Sequence, residues 1–202
     1  MNTRIILIVL AAVLVIGSIA FFVTQNRSTE DAAVRSYTNT TYGYTFRLPE
    51  PYEVMEYTPE NISVGTPVGE GFESEVDVAY MESGEEGAYE NFEEFLFERT
   101  RLLCAADGPD ESLDCTRIAR IRTLETSDGE SGYELMLELT RRTHSTGEMA
   151  TSTYGPLFAF DVSERDPESA YAAIVVYQPL PTFLTSESVN LLRRIVGSFT
   201  IE

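Results

Sequence analysis

The sequence has no lysine and no tryptophan, a single histidine, His144, and only two cysteines, Cys104 and Cys115. Each scarcity removes chemistry. Without lysine there is no Schiff-base amine, no Ser-Lys dyad and no phosphate-loop lysine. His144 sits in a polar turn, Arg142-Thr-His-Ser-Thr-Gly147. Nothing around it announces the orienting carboxylate and nucleophile of a triad, so it reads as an exposed loop residue. HExxH and GxSxG are absent. The ten residues between the cysteines fit neither a CxxC redox pair nor a zinc knuckle.

What the chain has in abundance is acid. All 14 basic residues are arginine, against 33 acids, for a net charge of −19. Residues 1–27 hold two of the arginines and no acid, so the rest carries 12 arginines, 33 acids and a net charge of −21. Such a surface repels nucleic acid and anionic lipid headgroups, and nucleic acid is not an expected partner.

The apolar run from Ile5 to Val23 holds 19 residues and no charge. As a helix it spans about 29 Å, near the thickness of a bilayer core. Two readings stand. One is an uncleaved single-pass anchor, which the length supports. The other is a cleaved signal peptide, with Ser18 and Ala20 forming the small-residue site. Arg4 on one flank and Arg27, Glu30, Asp31 and Arg35 on the other give little orientation signal. A short N-terminal tail before a long translocated domain is the usual arrangement. The expected location is therefore the cell membrane, held through residues 5–23, with the domain on the extracytoplasmic side. In that compartment an even count of two cysteines predicts a Cys104–Cys115 disulfide.

The expected organisation is an anchor or signal segment at 1–27, a tether at 28–36 and one domain at 37–202. Tyr44–Pro49 alternates like a half-buried strand, and a short strand follows at Glu53–Tyr57. Residues 58–71, with two prolines and three glycines, read as a long loop. Phe72–Tyr80 alternates with acids on one side. Asn91, with Glu94 three residues on, opens a helix whose apolar stripe runs to Leu103. Thr116–Glu125 and Tyr133–Arg142 flank a turn at Ser127-Asp128-Gly129, and Pro156–Val162 pairs with Tyr171–Tyr177. The last two segments are apolar on both faces and need a cover above and below. A C-terminal helix with Val189, Leu192, Ile195 and Val196 on one side supplies one cover. The expected fold class is α+β, an antiparallel sheet sandwiched between helices, preceded by a transmembrane helix.

The opening Tyr37-Thr-Asn-Thr-Thr-Tyr42-Gly43-Tyr44-Thr-Phe46-Arg-Leu48-Pro49 and the closing Leu191-Leu192-Arg-Arg-Ile195-Val196-Gly-Ser198-Phe199 resemble the two ends of PsbP-like domains. The chain lacks the tryptophan that often follows the proline there, with Tyr52 in its neighbourhood instead. The resemblance implies an α/β/α sandwich and an accessory, non-enzymatic role, and carries over no functional residue.

Three groups of residues are candidates for a site. Arg117, Arg120, Arg122, Arg141 and Arg142 cluster on the central hairpin. They suit either a patch that docks an anion or protein partner or cross-strand pairs with Glu134 and Glu138. Asp107, Asp110, Glu111 and Asp114, in the disulfide loop, are hard oxygen ligands of the kind calcium takes, out of the order of an EF-hand loop. Asn26, Asn39 and Asn61 open glycosylation triplets. No cofactor is implied. The functional expectation is a membrane-tethered accessory domain that binds another envelope protein without catalysis. Its alternatives are a hydrolase using paired carboxylates and a small-ligand or calcium-binding module.

Overall fold

The computed structural model describes residues 34–69, 71–84, 87–127, 129–166, 168–180 and 186–202. The anchor and most of the tether lie outside the described residues, among which no helix is long and apolar enough to cross a membrane.

Among the described residues, eleven strands and two α-helices follow in the order β1 (Val34–Asn39), β2 (Tyr44–Pro49), β3 (Glu53–Thr58), β4 (Asn61–Val68), β5 (Gly71–Glu82), α1 (Phe92–Thr100), β6 (Ala106–Asp107), β7 (Glu111–Glu125), β8 (Ser131–Thr143), β9 (Met149–Asp161), β10 (Ala172–Tyr177), α2 (Ser186–Gly197) and β11 (Thr200–Ile201). The main sheet is antiparallel, in the order β3-β4-β5-β10-β9-β8-β7-β6.

The two-faced apolar strands behave as their composition demands. Phe158, Phe160, Ile174 and Val176 point to one side, into a core with Leu191, Leu192, Ile195 and Val196 of α2. Leu157, Ala159, Ala173 and Val175 point to the other, into a core with Phe95 and Leu96 of α1. Each fully buried valine, leucine, isoleucine or phenylalanine among them contributes about 1.5–3 kcal/mol, so these two layers outweigh any surface interaction in the domain. Asn91 caps α1 by accepting from the Glu94 N–H at 2.9 Å, while Glu94 reaches back to the Glu90 N–H at 2.6 Å.

Four expectations are corrected. A second sheet, β1-β2-β11, shares the α2 side with the helix, and Tyr44 and Phe46 stack there on Phe199, which in turn stacks on Phe160. The domain starts earlier than residue 37, because Val34, Arg35 and Ser36, placed in the tether, already belong to β1. Residues 58–71 are not a loop, since most of them form β4. A register shift at Val64/Gly65 explains the glycine: a Cβ on Gly65 would lie 1.8 Å from the Glu73 carbonyl oxygen. Pro67 pairs only toward β5, beyond the end of the β3 ladder, so no β3 carbonyl needs its missing N–H. Finally, α1 stops at Thr100, whose hydroxyl donates to the Leu96 carbonyl, and a 3-10 turn over Arg101–Leu103 leaves Leu102 exposed.

Cys104 and Cys115 are bonded, with Cα atoms 6.0 Å apart and both residues buried against the α1 side of the sheet. The bond joins the end of the 3-10 turn to β7 across the β6–β7 hairpin. Asn39 is buried too. Its amide donates to the Pro59 carbonyl, and its side-chain oxygen accepts from the Thr41 and Tyr42 N–H groups. The triplet at Asn39 therefore cannot carry a glycan in the folded domain.

Two outcomes follow. Replacing both cysteines with alanine should lower the unfolding free energy by about 3 kcal/mol, read as a lower urea midpoint, because the bond closes a short loop in the unfolded chain. An unchanged midpoint would contradict this. Gly65→Ala should cost about 1–3 kcal/mol in the same assay, since backbone rather than a flexible side chain meets the new methyl group.

Candidate functional site

The candidate site lies on β7 and β8, toward one edge of the sheet; α2 packs on β2, β5 and β10 and meets this hairpin at its turn, where Ser127 donates to the Gly197 carbonyl. Along β8 the odd residues Leu135, Leu137 and Leu139 are buried on the α1 side. The even residues Glu134, Met136, Glu138, Thr140 and Arg142 alternate onto the opposite, open face. On β9, exposed Thr151 and Thr153 continue that face opposite Thr140 and Glu138.

The β7 arginines join this face through a backbone irregularity. Arg117 and Arg120 are three residues apart, so simple alternation would send them to opposite sides. The β7–β8 ladder shifts between Ile118 and Arg120. Ala119 is the extra residue, and the bulge resets the alternation. Arg117, Arg120 and Arg122 consequently stand opposite Glu138, Met136 and Glu134, three successive even positions of β8. They form a row with steps of about 7 Å, two residues of extended chain.

Carboxylates hold this row. Arg117 reaches Glu138 at 2.6 Å. Arg120 and Arg122 both reach Glu134, at 3.3 and 2.5 Å. Glu134 borders the core opposite Phe158, and its side chain is only 9% exposed, while the three arginine side chains remain 57–64% exposed. A carboxylate at the core edge requires such partners, whereas exposed pairs add little to stability. The guanidinium groups are thus fixed at one end and wet at the other. The Arg117 hydrogen bond, with its positive charge, holds the Glu138 carboxyl below the usual glutamate range.

The five arginines of the hairpin do not form one patch. Arg142 lies on the open face, opposite Ser112 and Met149. Arg141 lies on the α1 side, opposite Leu113, with Glu111 at 3.4 Å. The acids of the disulfide loop also disperse. Asp107 sits in β6, Glu111 and Asp114 in β7, and Asp110 in the turn between them. Among the described residues no three His, Cys, Asp or Glu come together in a way that could hold a metal ion. His144 follows β8 in a turn, with Nδ1 3.3 Å from the Pro109 carbonyl oxygen and Nε2 3.6 Å from Asp107.

Clefts also open among the described residues. One of about 820 Å³ lies where β7 and β8 approach their turn, lined by Leu124, Glu125 and Tyr133 with Asp161, Glu164 and Arg165 among others. The Arg165 guanidinium donates to the Ile201 and Glu202 carbonyls, tying β11 to the turn after β9. A smaller one, about 260 Å³, is walled by Tyr42 and Tyr80, stacked with centroids 3.9 Å apart. Burial and the hydrogen bond that Tyr42 donates to Glu60 push its phenol up to about 12, and Tyr80 donates to Asp166 at 2.6 Å. Neither cleft is lined by a histidine or a cysteine, and both are open rather than deep and apolar.

Glu138 should titrate below the ordinary glutamate value in a side-chain NMR titration and move up toward it in Arg117→Gln. A depressed carboxyl contributes stability that is present above its unfolded pKa and lost as pH falls through the folded one. The wild-type protein should therefore lose more stability than Arg117→Gln on acidification below about pH 4.3.

No family model and no curated protein matches the sequence. Among solved structures, the chain is similar to the solution structure of the cyanobacterial PsbP protein CyanoP from Synechocystis sp. PCC 6803. The TM-score is 0.43 at 11% identity, over 85% of this chain and 94% of that one. It is also similar to the Ran-binding protein Mog1p of Saccharomyces cerevisiae, with a TM-score of 0.40 at 10% identity, over 85% of this chain and 96% of that one. At these scores and identities neither likeness says what this chain binds or places it in a family.

Proposed function

We propose that this chain is a membrane-tethered, extracytoplasmic, non-catalytic domain that binds an acidic segment of another envelope protein on the open face of β7 and β8. The observation that carries the reading is the row Arg117-Arg120-Arg122, aligned by a bulge, anchored by Glu134 and Glu138, and more than half exposed. That face holds four arginines (117, 120, 122 and 142) against three acids (Asp114, Glu134, Glu138). It is a local cationic surplus on a chain of net charge −19. Arginine presents several N–H donors in a rigid fork, so one bound to its internal carboxylate still has donors for another. Electrostatic steering then favours partners whose charge is opposite to the row and not to the rest of the surface. The apolar run 5–23 supports tethering and the extracytoplasmic placement. The absence of lysine and the turn position of His144 support a role without covalent or general-base catalysis.

The test is quantitative capture of envelope partners by the full chain in its own membrane, after cross-linking and solubilisation. Replacing Arg117, Arg120 and Arg122 together with glutamine should reduce capture about tenfold or more at low salt. Raising salt should reduce wild-type capture toward the same level. Arg193→Gln with Arg194→Gln on α2 should change nothing. Capture that survives the triple replacement in a domain with an unchanged circular dichroism spectrum would overturn the reading.

A further inference from the structure

We infer that the partner segment adds to the main sheet as a strand along the free outer edge of β7, with acidic and aliphatic residues alternating along it. This rests on the reading above and names the partner's conformation and pattern.

β6 pairs only with Ser112 and Leu113. Toward Cys115 the 3-10 turn packs beside β7, held by the Cys104–Cys115 bond. From residue 117 to 125 the outer edge of β7 has no strand beside it among the described residues, a length of about 30 Å. The two faces bordering that edge differ. The open face offers the arginine row at two-residue steps. The α1 face offers Ile118 and Ile121, both half-buried. At the edge, beside Arg117 and Ile118, a groove of about 490 Å³ runs to Asn91, Glu93, Glu94 and Phe97 at the start of α1. An added strand would therefore turn carboxylates to the arginines and aliphatic side chains to the isoleucines. Glu93 and Glu94 would repel acids placed on the wrong face.

The inner edge of β7 already shows that such a strand fits. β8 is its neighbour there, with Glu134 and Glu138 on the arginine side and Leu135, Leu137 and Leu139 on the other. The outer edge presents the same two rows to a second strand of the same pattern.

The same features disfavour other occupants. An uncharged strand would bring no acceptor of opposite charge to the guanidinium donors that Glu134 and Glu138 leave free. A second copy paired edge to edge would set one arginine row against another between two chains of net charge −19. Arginines and a bulge are devices that guard edges from indiscriminate pairing, and here they leave acidic strands admissible.

Three synthetic nine-residue peptides test this against the full chain in detergent micelles, by fluorescence anisotropy. One alternates glutamate with valine. The second has the same composition in two blocks. The third is the alternating peptide N-methylated at every second residue on the side that would meet β7. The alternating peptide should bind at least tenfold tighter than either of the others, lose at least tenfold in the Arg117, Arg120, Arg122→Gln protein, and slow hydrogen exchange at residues 116–122. Equal binding of all three peptides, still weakened by the glutamine replacements, would overturn strand addition while leaving the arginine face as a binding site. Alternating-peptide binding indifferent to the replacements would overturn both. Binding by none of the peptides, with envelope capture still dependent on the arginines, would overturn the strand alone.

Discussion

Strands β9 and β10 are apolar on both faces, and such strands are stable only between two covers. The rest of the domain follows from that demand. α1 and the disulfide-closed 3-10 turn cover one side, where Phe95, Leu96 and the Cys104–Cys115 pair meet Leu135, Leu157 and Val175. α2 covers the other, helped by the small sheet that brings Tyr44, Phe46 and Phe199 over Phe160. The sheet is wider than its α2 cover. Where β8 emerges from under it, one face stays leucine-rich and the other turns to glutamate, methionine and threonine.

The candidate site arises at this margin. Glu134 is caught between the core edge and solvent, and two arginines satisfy it. A single inserted residue, Ala119, decides that those arginines share a face with Arg117. Without the bulge, the stripe would split between two faces and offer no linear array. The groups that satisfy the core-edge carboxylate are thus the same ones that the proposed function uses. Glu134 and Glu138 hold the guanidinium groups, which would lower the entropy that a partner's carboxylates must overcome on arrival.

Part of this was legible in the residues. Alternation located β2 and β5, Asn91 and Glu94 marked the start of α1, and the doubly apolar runs foretold the two covers. Other parts were hidden for physical reasons. Gly65, Pro67 and their neighbours look like loop chemistry, yet Gly65 is there because the β5 backbone approaches too closely for a Cβ. The first half of β9, Met149 to Thr153, is exposed on both faces, so it has no buried stripe to read. β11 is two residues long and pairs with β2 across most of the chain, Thr200 opposite Thr45, which no local pattern encodes. The arginines were visible as a cluster, but only the register separates the row of 117, 120 and 122 from Arg141 on the opposite face. In sequence a bulge is indistinguishable from ordinary spacing.

Residue-resolved hydrogen exchange on the full chain, compared between its native membrane and the purified state in detergent, tests the account most directly. If the open edge and face of β7 hold a partner, amides at residues 116–122 should exchange slowly in the membrane and faster after purification. The buried β9 and β10 amides should stay protected in both. Exchange at β7 that is identical in the two states, with new protection appearing only at the 820 Å³ cleft around Asp161 and Arg165, would contradict it.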